Sequence, residues 1–193
     1  MNYSANKLIT RVKQLQDVTY IPDNYWIIGI RNPDDTPDAF DDRFYLMKGE
    51  EIVCETTGTT NPGKKVLQGG FKKYNKRGAA LVESDRMYYD LWYPGKHKGV
   101  VPALKQIGKI TVWRDGDGDA KSEEQGYKEH RTDIGINFHS ASKDFLQVAI
   151  KTVVGGWSAG CQVCNNTKEY KEIIDTVWNQ DRVSFCLLKE FSI

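Results

Sequence analysis

Apolar residues in this chain come in short β-branched and aromatic runs, cut apart by glycine, proline and acidic turns, and only two stretches carry a helical period. A run too short for a helix buries itself by pairing as a strand, so the pattern predicts a β-rich domain with few helices. The first helical stretch places Leu8, Ile9, Val12 and Leu15 on one face and predicts a helix over about 4–17. In the second, Asn166 and Glu169 stand three apart, as in a capping box, ahead of Tyr170, Ile173, Ile174, Val177 and Trp178. That spacing predicts a helix over 167–179. Strands are predicted at Tyr25–Arg31, Met87–Tyr93, Lys109–Arg114, Asp133–His139 and Val183–Leu188, with Arg43–Lys48 and Glu51–Thr57 forming a hairpin about Gly49. The acidic segment Asn32–Asp42, Thr56–Gly63, the basic Gly69–Gly78, the Pro94–Lys98 turn with 102–106 after it, and Val153–Asn166 read as loops. The expected class is α+β: one domain over 1–193, with an N-terminal helix within 1–20 and a β-rich unit over 21–193.

Composition narrows the function. The 193 residues suffice for one buried core. Charge is balanced, 27 Lys+Arg against 26 Asp+Glu, which argues against a dedicated nucleic-acid binder. No stretch approaches the roughly 20 apolar residues of a membrane helix. The N-terminus has no uninterrupted apolar segment of the kind that addresses a chain for export. The four cysteines, Cys54, Cys161, Cys164 and Cys186, are too few for a disulfide scaffold.

The segment from Ile134 to Val163 carries the most chemistry. His139 closes a predicted strand, and Cys161 sits in a glycine-rich loop further on. Cysteine catalysis needs a thiol whose proton an adjacent imidazole accepts and later returns to the leaving amine. A strand end holds the base rigidly, and Gly160 lets backbone approach closely where an oxyanion would form. The positive end of the 167–179 helix adds at most a small lowering of the thiol pKa.

His139-Ser140 followed by Ser158-Ala159-Gly160-Cys161 resembles the catalytic signature of L,D-transpeptidase (YkuD-like) domains, where a His-Gly or His-Ser pair precedes Ser-x-Gly-Cys. The 43–57 hairpin and the Thr57-Gly58…Pro62-Gly63 stretch are similar to the family's early hairpin and loop, so the resemblance spans about 40–165. It implies a mixed sheet or barrel core and acyl transfer on peptidoglycan stem peptides. Cys161 is then the nucleophile and His139 the base and acid. The backbone at Ser140 orients the imidazole, the Gly160 and Cys161 amides line an oxyanion site, and Trp157, Ser158, Ala159 and Gln162 contact substrate. Amine or water resolves the thioester. No cofactor or resident metal is implied. Ala159 stands where many members carry a second histidine, and Gln162-Val163 replaces a usual hydrophobic-then-Arg/Asn pair. A cell-wall enzyme whose chain shows no export segment is expected either to have been trimmed or to reach the wall by another route, such as phage lysis or carriage in a virion.

Other constellations have plainer readings. Cys161 and Cys164 form a Cys-x-x-Cys, and a zinc set would add His139 with His130 or Cys54, but a single such pair is a weak zinc signal. Cys54, Cys164 and Cys186 read as packing residues. Asp115, Asp117 and Asp119 alternate like half a calcium loop, without the glycine and glutamate an EF-hand needs; a solvated acidic turn is the simpler reading. The basic Lys72–Arg77 and Lys96-His97-Lys98 face solvent or an anionic polymer. Trp92 and Tyr93 are candidate groove residues, and Trp113 and Trp178 candidate core.

Overall fold

The computed structural model describes residues 3–34, 36, 38–144 and 148–192. It is a mixed α+β, β-rich structure. Helix α1 spans Ala5–Lys13 and α2 Thr167–Val177. The strands are β1 Tyr25–Arg31, β2 Asp42–Lys48, β3 Glu51–Thr59, β4 Ala79–Val82, β5 Arg86–His97, β6 Val101–Gln106, β7 Ile110–Asp115, β8 Tyr127–Arg131, β9 Phe138–Ser140, β10 Gln162–Cys164 and β11 Val183–Lys189. Eight of them close into a barrel in the order β1-β11-β5-β6-β9-β10-β3-β2, and β4-β7-β8 form a separate small sheet. Two pairs in the barrel run parallel, β1 with β11 and β9 with β10.

Side chains alternate across each strand, so a strand between two apolar layers reads as continuously hydrophobic. β1 shows this directly. Ile27 joins the interior cluster with Phe44, Trp92 and Phe185, while its neighbours Trp26 and Ile28 join an outer one. The outer layer is completed by α1, whose Leu8, Ile9 and Val12 are buried against β1, β2 and β11. Burying each is worth about 2 kcal/mol of transfer free energy. Ser4 caps α1 through Lys7 N–H, and Asn166 caps α2 by accepting from Lys168 and Glu169 N–H at 3.1 and 3.4 Å. The predicted α2 therefore starts where its cap placed it, and Tyr170, Ile173, Ile174 and Val177 extend the interior cluster.

Several expectations are corrected. Residues Pro94–His97 are strand, not turn, and 102–106 belongs to its partner β6, with Pro94 opposite Leu104. β11 follows β5 only as far as Trp92, so beyond it the missing proline N–H leaves no neighbour unsatisfied. The predicted strand Asp133–His139 shrinks to Phe138–Ser140. Its first half is held by side chains instead: Gln106 Oε1 accepts from Gly135 and Ile136 N–H, and Trp92 Nε1–H donates to Ile136 O. β4, β8 and β10 carry no signal in the sequence reading. β8 pairs with β7 while mostly exposed, so backbone bonding forms it without a hydrophobic stripe. Trp178 is 40% exposed rather than core, and Trp92 is fully buried rather than lining a groove. Among the described residues no helix is long and apolar enough to cross a membrane.

Candidate active site

The parallel β9–β10 pair brings the two segments of the suspected signature together. Val163 is the partner of His139 and Gln162 the partner of Phe138. Strand alternation then places Asn137, His139, Cys161 and Val163 on one face, and Phe138, Gln162 and Cys164 on the other. This settles the Cys-x-x-Cys. Cys161, just before β10, lines a surface groove while Cys164 packs in the interior cluster, so the two sulfurs serve opposite sides of the sheet. The zinc set of Cys161, Cys164 and His139 with His130 or Cys54 does not assemble as a whole, since only His139 and Cys161 of it come together. His130 lies on the small sheet, its Nδ1 2.6 Å from Thr111 Oγ1.

Cys161 is positioned by a tight local turn. Ser158 Oγ accepts from Gly160 N–H at 3.1 Å and donates to Cys161 O at 2.9 Å. Gly160 has φ +132, and a Cβ there would lie 2.4 Å from Ala80 O. Only glycine fits that approach between the turn and β4. Immediately afterwards Gln162 N–H donates to Asn137 O and β10 begins.

His139 is 2% exposed. Its Nδ1 lies 2.9 Å from Ser140 O; a carbonyl can only accept, so Nδ1 carries the proton and Nε2 presents its lone pair. Nε2 is buried and has no hydrogen-bond partner among the described residues. His97, at the end of β5, stacks on the His139 ring with centroids 4.3 Å apart. Asn137 Oδ1 accepts from Gln106 N–H, leaving its amide NH2 to meet His97 Nδ1 at 3.0 Å. One ligand atom from each of His97, His139 and Cys161 falls within 4.8 Å of the other two. The thiol lies 3.5 Å from Gly135 O.

The thiol opens onto a groove of about 410 Å³, walled by Tyr74, Trp157, Ala159, Ile134 and Lys98, with Arg131 at its edge. Trp157 and Ala159, expected to contact substrate, both line this groove. Ser158 and Gln162, expected to do the same, do not: both are fully buried. Ser158 is spent on holding the turn, and the Gln162 amide Nε2 donates inward to Gly160 O. The Gly160 N–H is also committed to Ser158, which removes it from an oxyanion site. Ser140 acts through its carbonyl; its hydroxyl is buried without a partner among the described residues. His97 and Asn137 were missed as site residues. His97 lay within a basic run, and only the length of β5 carries it to the site.

Burial pulls the His139 imidazole down to about 4, against the opposing pull of Ser140 O and with help from His97 and Lys98. Burial likewise pushes the Cys161 thiol up, offset in part by backbone at Asn137 and the Lys98 charge. Burial thus favours the uncharged form of both groups, thiol and neutral imidazole. Alkylation of Cys161 by iodoacetamide should therefore climb with pH above the range of an ordinary thiol. A plateau extending to mildly acidic pH, followed by intact mass, would reveal a preformed thiolate–imidazolium pair instead.

The acidic 115–119 loop does not converge on a cation. Asp117 and Asp119 carboxylates accept from backbone at Asp119 and Lys121, and Asp115 Oδ2 accepts from Glu123 N–H at 3.4 Å. Among the described residues, His97, His139 and Cys161 make the only group of three or more such side chains with convergent ligand atoms. Compared with protein-family profiles, with curated proteins and with solved structures, the chain matches none.

Proposed function

We propose that this protein is a cysteine-dependent acyltransferase or peptidase of L,D-transpeptidase type, acting on peptidoglycan stem peptides. The observation that carries the proposal is the buried, partnerless Nε2 of His139, fixed in its lone-pair form beside a thiol that opens onto a groove. The resemblance of His139-Ser140 and Ser158–Cys161 to the family signature supports the substrate class. As Cys161 Sγ attacks the carbonyl of the third stem residue, a C–S bond forms and Nε2 takes the thiol proton. The tetrahedral intermediate collapses, the C–N bond breaks, and Nε2 returns the proton to the departing terminal D-residue amine. An amine or water then cleaves the thioester, with His139 again as base. Trp157 and Tyr74 offer apolar walls to the peptide, and Lys98 offers charge to its carboxylates, while Arg131 is paired with Asp133 on the same wall.

The test is a muropeptide digest analysed by mass, paired with intact mass after incubation with a carbapenem. The wild type should gain one acyl adduct and convert stem peptides to trimmed or cross-linked products, while Cys161→Ala does neither. A non-catalytic wall-binding module would leave the muropeptides unchanged and bind peptidoglycan equally as Cys161→Ser.

A further inference from the structure

We propose that His97, His139 and Cys161 form a binding site for a single divalent transition-metal ion of the zinc class, open on the groove side, whose occupancy excludes acyl transfer. The metal site itself uses only the placement of three donor atoms, and its effect on acyl transfer rests on the function proposed above.

Two imidazoles and one thiolate are a borderline-soft donor set of the kind that selects zinc and its neighbours over calcium or magnesium. Their donor atoms already lie within 4.8 Å of one another. In a tetrahedral zinc site with bonds of about 2.0–2.3 Å, such atoms sit about 3.4–3.6 Å apart, so roughly an ångström of closing completes the chelate. The second observation is the orphaned His139 Nε2: a buried nitrogen lone pair with no donor among the described residues calls for a partner. Its other nitrogen is already bonded to Ser140 O at 2.9 Å, the backbone-carbonyl arrangement that orients metal-bound histidines. At His97 the direction is reversed: Asn137 Nδ2–H donates to Nδ1 at 3.0 Å, so a neutral ring carries its proton on Nε2. His97 must change tautomer or trade that bond for the metal, a small cost beside a three-ligand chelate. The groove provides the entry path and room for a water as fourth ligand.

On binding, a sulfur–metal bond forms, the S–H bond breaks and the proton passes to solvent. The same event occupies the His139 lone pair. Both groups that acyl transfer would use are then engaged, so metal and acyl donor compete for one site. His97 is the element of the proposal that acyl transfer does not need, and the test turns on it.

Full-length protein, stripped with chelator, is titrated with cobalt(II) and then zinc(II). One cobalt should bind, giving a sulfur-to-cobalt charge-transfer band in the near ultraviolet and d–d bands of four-coordinate intensity. One equivalent of zinc should bleach both. Cys161→Ser should abolish the charge-transfer band. His97→Phe, which retains a ring against His139 but no donor, should weaken zinc affinity at least about tenfold. His97→Gln serves the same purpose if the phenylalanine variant does not fold. Cys54→Ser should change nothing. Absence of a charge-transfer band, its survival in Cys161→Ser, or unchanged affinity in a folded His97 variant overturns the site. Because the readout is spectroscopic, a protein that binds cobalt but forms no acyl adduct when metal-free keeps this proposal and loses the acyl-transfer one. The reverse result does the opposite.

Discussion

Replacing His139 by glutamine is expected to slow acylation of Cys161 about 10²–10⁴-fold, the usual contribution of a positioned general base. The same substitution should change how the fold responds to acid, which separates a buried base from an idle one. Burial holds the folded His139 at about 4, below the 6.5 of an unperturbed imidazole. A depressed value means that the unfolded chain takes up the proton first. The stability contributed by neutral His139 is therefore complete above about pH 6.5 and is lost as pH falls toward 4, at about 1.4 kcal/mol per unit. By pH 5 the wild type should have lost about 2 kcal/mol that His139→Gln does not lose. Asp42 and Asp115, which burial raises to about 6, act in the opposite sense and stabilise as pH falls. They are common to both proteins and cancel in the comparison. Urea melts of the two proteins at pH 7 and pH 5 measure the difference. Parallel acid losses would show that His139 is not held neutral by the fold, and with that the lone pair offered to the thiol disappears.

The second large effect lies beside the nucleophile. Gly160→Ala adds a methyl 2.4 Å from Ala80 O and 2.9 Å from Ala80 Cβ, at a backbone φ of +132. Neither neighbour can yield easily. Ala80 belongs to β4, and its N–H donates to Ala159 O at 3.2 Å, so the methyl pries apart the seam it sits in. Left-handed strain and overpacking together should cost about 3–5 kcal/mol, enough to unfold a marginal domain. Gly156→Ala is the control, because a Cβ there meets nothing within 4 Å. It should change stability by less than about 0.5 kcal/mol. Equal melting of the two variants would mean that the turn before Cys161 is adaptable, and that its glycine does not fix where the sulfur points.

These two residues also show how much of the site was legible. His139 and Cys161 were marked by residue type: an imidazole at a strand end and a thiol after glycine in a turn-rich loop. Their neighbours were read less well. Ser158 and Gln162 stand in the motif yet face inward, because a serine can close its own turn and strand alternation sends Gln162 to the side of Phe138. His97 was hidden in a run of lysines. A basic segment reads as solvated until a twelve-residue strand is seen to carry its last residue against His139.

The same division holds for the fold. Periodicity and caps were enough to place α1, α2, β1, the β2–β3 hairpin and β11, since each announces itself through nearby residues. β8 escaped because pairing rather than an apolar stripe creates it, and β4 and β10 because buried runs of four and three residues are too short to show a period. The chain alone thus marked candidates for chemistry and the segments that must be buried. Barrel closure decided which of those residues meet, because contact between distant strands depends on register and facing. Those are set by the balance of all the pairings at once, and no local stretch of sequence encodes them.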